Sequence, residues 1–111
     1  MKLTNEFQSI RDWAHERQLD TKGDPKTQFA KLVEEAGELA QGLLKNRIEE
    51  TADAIGDMVV VLTNLSTLCG LKIEDCINAA YTEIASRKGA MVDGTFVKQG
   101  NIFENEQENK I

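Results

Sequence analysis

The segment that most restricts the fold of this chain runs from Ile55 to Leu68. Ile55, Met58, Val59, Val60, Val61, Leu62, Leu65 and Leu68, placed at about 100° per residue, spread over most of a helix's circumference. A helix that is apolar nearly all round has to be central, because it leaves no broad face for water. The rest of the chain supplies helices to surround it. There is one proline, Pro25, and little of the strict alternation that marks half-buried strands. Phe7, Ile10 and Trp13 set a first helix over about 4–18. Gly23-Asp24-Pro25 is a break followed by a start, with Asp24 as cap and Pro25 in the first turn. From there Phe29, Leu32, Val33, Ala36, Leu39, Ala40 and Leu43 keep an unbroken helical spacing, which predicts a second helix to about Lys45. The central helix then spans about 47–69 and stops at Gly70, and a fourth covers about 73–88 before Gly89. Asp93-Gly94, set between short apolar pairs, predicts a small hairpin or turn. Residues 104–111 are polar and aperiodic and read as a flexible acidic tail.

Short links between consecutive helices favour antiparallel neighbours, so the expected architecture is all-α, an antiparallel four-helix bundle in a single domain over residues 1–103. Three helices of this size leave part of the central one uncovered. The expectation is therefore a homo-oligomer, a two-fold dimer or a dimer of dimers.

Charge narrows the function. The chain carries 13 basic and 19 acidic side chains, a net −6, which disfavours the phosphate backbone of nucleic-acid polymers. Cys69 and Cys76 have neither the number nor the spacing of a disulfide framework or zinc site. They fit a reduced, cytoplasmic setting, and no stretch is long and apolar enough to span a membrane.

The acids are not scattered. On the second helix Glu35 and Glu38 share one flank of the apolar stripe with Gln28 and Lys31, while Glu34 points further out. On the central helix Glu50, Asp53, Asp57 and Asn64 fall within about 60° of one another. Any one of them alone reads as a solvated helix residue, and Glu50 near a helix start suits the dipole. As a set, facing each other across about 8–10 Å, they repel. Partly buried, they either take up protons or recruit a cation. Oxygen ligands without His or Cys company point to Mg2+ or Mn2+, not zinc or copper.

The residues Glu34-Glu35-Ala36-Gly37-Glu38-Leu39 reproduce an EExxE-L helix signature, and Ile55-Gly56-Asp57, followed by an apolar run to Asn64-Leu65, resembles its companion helix. Together, over about 28–88, they resemble the MazG-type all-α nucleoside triphosphate pyrophosphohydrolases, relatives of dimeric dUTPases and of phosphoribosyl-ATP pyrophosphohydrolase. The resemblance implies cleavage of a (d)NTP to a (d)NMP and pyrophosphate. It implies Glu35, Glu38 and Asp57 as metal ligands and Glu34 or Glu35 as the catalytic group that orients or deprotonates water. The family's ExxD unit is broken by Ala54. The missing carboxylate falls to Asp53 or to Glu50, both on the stripe of Asp57. The fourth helix carries Tyr81 and Glu83 near the places of the family's Asn and Lys, leaving Arg87 and Lys88, with Lys31, to meet phosphates.

Two residues have competing readings. Trp13 is either core or a surface for stacking a nucleobase. Asn64 either satisfies a structural need or hydrogen-bonds base or sugar. His15 has no ligand-spaced neighbour and reads as structural. Two rivals to the nucleotide hydrolase stand beside it: a non-catalytic helical interaction protein, and a hydrolase specific for phosphoribosyl-ATP.

Overall fold

A computed structural model describes residues 3–100, so the tail expected at 104–111 lies outside the described residues. Among the described residues there are five helices: α1 (Leu3–Glu16), α2 (Leu19–Lys22), α3 (Pro25–Leu44), α4 (Ile48–Leu68) and α5 (Ile73–Ala85). They are followed by β1 (Gly89–Val92) and β2 (Thr95–Lys98). The class is all-α, with a two-stranded antiparallel hairpin in which Met91 pairs with Phe96 and Val92 with Thr95. The described residues fall into two compact units that divide between Ile77 and Asn78.

Local chemistry sets the boundaries. The Asp24 carboxylate accepts from the Thr27 N–H at 3.0 Å, and Pro25 occupies the first turn of α3. Both long helices close in the same way, with a residue in the left-handed region just past the cap. At the end of α3 it is Asn46, φ 54°, where Arg47 N–H donates to Gly42 C=O at 2.8 Å and Asn46 N–H to Leu43 C=O at 3.2 Å. At the end of α4 it is Gly70, φ 75°, with Leu71 N–H to Ser66 C=O at 2.8 Å and Gly70 N–H to Thr67 C=O at 3.0 Å. These paired reverse bonds satisfy carbonyls that a helix end otherwise strands. In the hairpin Asp93 and Gly94 both have positive φ, the conformation of the turn that matches strand twist. The short helix α2 escapes the sequence pattern, because the chain reaches it through Gln18 at φ 61°, a left-handed residue that no glycine announces.

Within the first unit, α3 and α4 pack along each other as antiparallel partners. Gly42 lies against Thr51 near the connecting turn, and Glu35 lies beside Asp57 further along. A side chain at Gly42 would put its Cβ 2.8 Å from Thr51 Oγ1 and 3.0 Å from its backbone N, so this glycine permits the close approach. The buried side chains of the unit are small or β-branched: Ala14 on α1, Ala54 and Val61 on α4 and Ile73 at the start of α5, with Thr51 and Thr63 of α4. The buried hydroxyls donate one turn back, Thr51 to Arg47 C=O at 2.9 Å and Thr63 to Val59 C=O at 2.8 Å, which removes the cost of an unpaired polar group. The other side of both helices is open. Phe29, Val33 and Leu43 on α3, and Ile55, Val59 and Leu62 on α4, are exposed.

Arg11 on α1 ties the first turn of α5 to the unit through a two-pronged ion pair, Nη1 to Glu74 Oε1 and Nη2 to Glu74 Oε2, both 2.6 Å. The Arg11 hydrogen bond holds the Glu74 carboxyl at about 2, well below the carboxylate range. A depressed folded value contributes stability that is present above the ordinary carboxylate pKa of 4.5 and is lost as pH falls towards 2. Glu74→Gln should therefore flatten the decline in thermal midpoint between about pH 5 and pH 2 relative to the parent chain. An unchanged slope would show that this pair contributes nothing to acid stability.

Candidate active site

α3 and α4 carry the acidic residues to one place. Glu35 and Glu38 from α3 and Asp57 from α4 each present a carboxylate oxygen, and these oxygens all lie within 4.8 Å of one another. The Asn46-closed turn and the Gly42–Thr51 approach set the register that puts Asp57 opposite Glu35. Glu35 and Asp57 are half-buried and Glu38 is exposed, so the cluster opens to solvent on one side. One Glu35 oxygen, Oε2, is buried without a hydrogen-bond partner.

The electrostatics follow from that placement. The Glu35 carboxyl is pushed above its ordinary value, first by burial, then by its hydrogen bond with Glu38 and by the charges of Glu38 and Asp57. Lys31, one turn earlier on α3, acts in the opposite direction. Three hard oxygen donors, one of them orphaned, fit a hard divalent cation, which would both neutralise the repulsion and satisfy Oε2.

The other residues singled out in the sequence fall as follows. Glu50 and Asp53 stand outside the three-carboxylate cluster, lining with Glu38 and Gln41 an adjoining hollow of about 150 Å³. Glu50 is bridged there by Arg47 at 3.1 Å. Ala54, the position of the broken ExxD unit, is buried at 2% exposure. Glu34 and Lys31 are exposed on α3. In the second unit Arg87 is bonded to Glu83 at 2.9 Å, and the Lys88 carbonyl accepts from Gln99 N–H at 2.8 Å. Trp13 is not core: it is 48% exposed, with the Arg17 guanidinium 4.3 Å above its ring. Cys69 and Cys76 are free and exposed. His15 pairs with Asp20 at 2.8 Å, a structural role as expected. Asn64 is buried at 4% exposure, two turns along α4 from Asp57, with Oδ1 unpaired.

Sequence reasoning missed a second concavity. It has a volume of about 230 Å³ and lies between α1, α2 and α4, with Arg11, His15, Asp20 and Asn64 in its wall. A signal existed: Gln8, Arg11, Asp12 and His15 form a polar stripe on α1 at i, i+3, i+4 and i+7. Asp20, carried on the unforeseen α2, completes it.

A fold of packed helices with carboxylates converging across α3 and α4 places the protein in the class of MazG-like all-α pyrophosphohydrolases. Residues 6–82 match the family model described as phosphoribosyl-ATP pyrophosphohydrolase, and the chain belongs to that family. It is also similar to an uncharacterized 18.2 kDa protein in the rep-hol intergenic region of Haemophilus phage HP1, 42% identical over 60 residues, which are 54% of this chain and 37% of the phage protein. The match thus spans little more than a third of that relative. No solved structure matches the chain. Among the described residues no single helix is long and apolar enough to cross a membrane.

Proposed function

We propose that the protein is a metal-dependent nucleoside triphosphate pyrophosphohydrolase that cleaves (d)NTP to (d)NMP and pyrophosphate by attack of water at the α-phosphorus. The observation that carries this reading is the convergence of Glu35, Glu38 and Asp57 from two helices, in a chain that belongs to a pyrophosphohydrolase family. Those three residues would hold Mg2+, or Mn2+, with Glu50 and Asp53 extending the acidic wall on the side of Glu38. A divalent ion bound there supplies charge neutralisation on the triphosphate and acidifies water. Glu35, whose proton affinity is raised by burial and by Glu38 and Asp57, is the carboxylate suited to take a proton from water. Glu34, exposed one residue earlier, orients water from the rim. Lys31 offsets charge on the departing pyrophosphate. Trp13 offers an accessible face for a base, and Asn64 a hydrogen-bonding edge.

A second reading keeps the bond cleaved and changes the substrate to phosphoribosyl-ATP, and the family description favours it. Incubation with ribo- and deoxynucleoside triphosphates and with phosphoribosyl-ATP, with Mg2+ and with chelator, separates the two. The triphosphates should yield pyrophosphate only with metal present. Failure of every substrate, together with no thermal stabilisation by Mg2+ or Mn2+, removes both.

The open faces of α3 and α4 support self-association as part of the same proposal. Contiguous large apolar side chains of this kind are uncommon on a monomer, and a symmetric dimer hides one face on its own copy. Light scattering at micromolar concentration should give a multiple of 12.4 kDa. A mass at 12.4 kDa refutes the oligomer, and Val59→Glu should bring the mass down to it.

A further inference from the structure

We infer that His15, the single histidine of the chain, is a proton-operated clasp: charged, it holds the short helix α2 closed over the cavity between α1, α2 and α4, and on losing its proton it lets α2 lift. The inference concerns access to that cavity and holds whatever the substrate.

Little else fastens α2. It has four residues, none of them buried, and no side chain caps its start. A helix of that length does not hold itself in water. The chain enters it through Gln18 at φ 61°, the left-handed region, where a residue with a side chain is strained. Two backbone bonds close its single turn, Lys22 N–H to Gln18 C=O and Gly23 N–H to Leu19 C=O, both 2.8 Å. Leu19 and Asp20, both half-buried, are what α2 gives to the cavity wall. Across the bend, His15 Nδ1 on α1 meets Asp20 Oδ2 on α2 at 2.8 Å, which ties the two helices together over the left-handed residue.

The surroundings make this tie sensitive to one proton. The hydrogen bond with Asp20 and the charge of Asp20, then the charges of Asp12 and Glu16 on α1, hold the imidazole above its ordinary value of 6.5. His15 in turn, with the backbone N–H groups of Asp20 and Thr21, holds the Asp20 carboxyl below the usual carboxylate range. Asp20 therefore stays ionised while His15 titrates. No other cation takes over. α4 gives the cavity Asn64 and Thr67, neither of them charged, and the Arg11 guanidinium in the same wall is held by Glu74.

A raised folded value means that the clasp is complete below pH 6.5 and is lost as pH rises through that folded value. The His15 side chain is 76% exposed, so its grip is the modest one of a surface ion pair. A modest grip is enough to set the position of a helix with so little else to hold it. Lifting α2 removes Leu19 and Asp20 from the wall and opens the remainder, Arg11, Asn64 and Thr67, to solvent.

The test is nuclear magnetic resonance of the full chain between pH 6 and pH 8.5. The one histidine ring gives a signal of its own, and it should titrate above 6.5 in the parent and return towards that value in Asp20→Asn. Solvent exchange of the Lys22 and Gly23 amides, corrected for the intrinsic effect of pH, should rise about two- to fivefold across the same titration. In Asp20→Asn the rise should vanish, and His15→Gln, which cannot charge, should show the high-pH exchange at every pH. The amides of Val61 and Thr63 in α4 should stay protected throughout, which shows that each variant is folded. A histidine that titrates at or below 6.5 overturns the inference. So does exchange at Lys22 and Gly23 that ignores pH in the parent, or that rises equally in Asp20→Asn. The parent's own titration and exchange decide the matter even if a variant fails to fold.

Discussion

Asp57→Asn and Glu38→Gln should each lower metal-dependent release of pyrophosphate by about 100-fold or more, since loss of a direct ligand exceeds the 10–100-fold effect typical of groups that merely orient one. Substitution of the third member, Glu35→Gln, should have an opposite effect on the metal-free fold. Glu35, Glu38 and Asp57 crowd their oxygens within 4.8 Å, and burial and these neighbours raise the Glu35 carboxyl above its ordinary value. A raised folded value means that the folded chain holds this proton more tightly than the unfolded one. Stability from that source is present at and below the ordinary pKa of 4.5 and is lost as pH rises through the folded value. Without divalent ions, Glu35→Gln should therefore raise the thermal midpoint at neutral pH and have little effect at pH 4. With Mg2+ the order reverses, because the parent chain gains from binding by mass action and the variant does not. A structural cluster with no metal function would show the first effect and not the second. Thermal melts at two pH values, with and without Mg2+, make the distinction.

The second large effect concerns the seam that aligns the cluster. Gly42→Val should destabilise the fold by roughly 1–3 kcal/mol, lowering the melting midpoint by roughly 5–15 °C. A Cβ at position 42 meets Thr51 backbone N at 3.0 Å and Cα at 3.2 Å, and backbone, unlike a flexible side-chain tip, does not move aside cheaply. To relieve the clash, α3 and α4 must separate at the turn, which also shifts Glu35 and Glu38 relative to Asp57. Activity should fall together with stability even well below the melting midpoint. Gly37→Ala is the control. Nothing lies within 4 Å of a Cβ there, and alanine is the better helix former by about 1 kcal/mol, so this change should leave stability equal or higher. Equal destabilisation by the two substitutions would show that Gly42 is not the point of closest approach. Circular dichroism melts of both variants decide it.

How much of this was readable in the residues depended on whether local chemistry sufficed. Asp24-Pro25 as a start, Gly70 as a stop and Asp93-Gly94 as a turn are local events, and each took the conformation its residue types favour. The α3 stripe was equally plain. The helical wheel, however, gives angle and not depth. It placed Glu50, Asp53 and Asp57 on one stripe, but only the α3–α4 register shows that Asp57 meets Glu35 and that Glu50 and Asp53, nearer the turn, face Gln41 and Glu38. Nor does the wheel show that Ala54, three residues before Asp57, is buried. Trp13 stayed open between core and surface because spacing marks it as belonging to a stripe without saying whether a neighbour covers that stripe. α2 was invisible because four residues are too few for periodicity, and with it went Asp20 and the cavity it closes.

The account stands or falls on where water attacks. Hydrolysis of dATP in water enriched in heavy oxygen, with Mg2+ and followed by mass spectrometry of the products, reads that directly. The proposal predicts one heavy oxygen in the nucleoside monophosphate and none in pyrophosphate, with no labelled product when chelator replaces metal. Label in inorganic phosphate, with a nucleoside diphosphate as co-product, would contradict it.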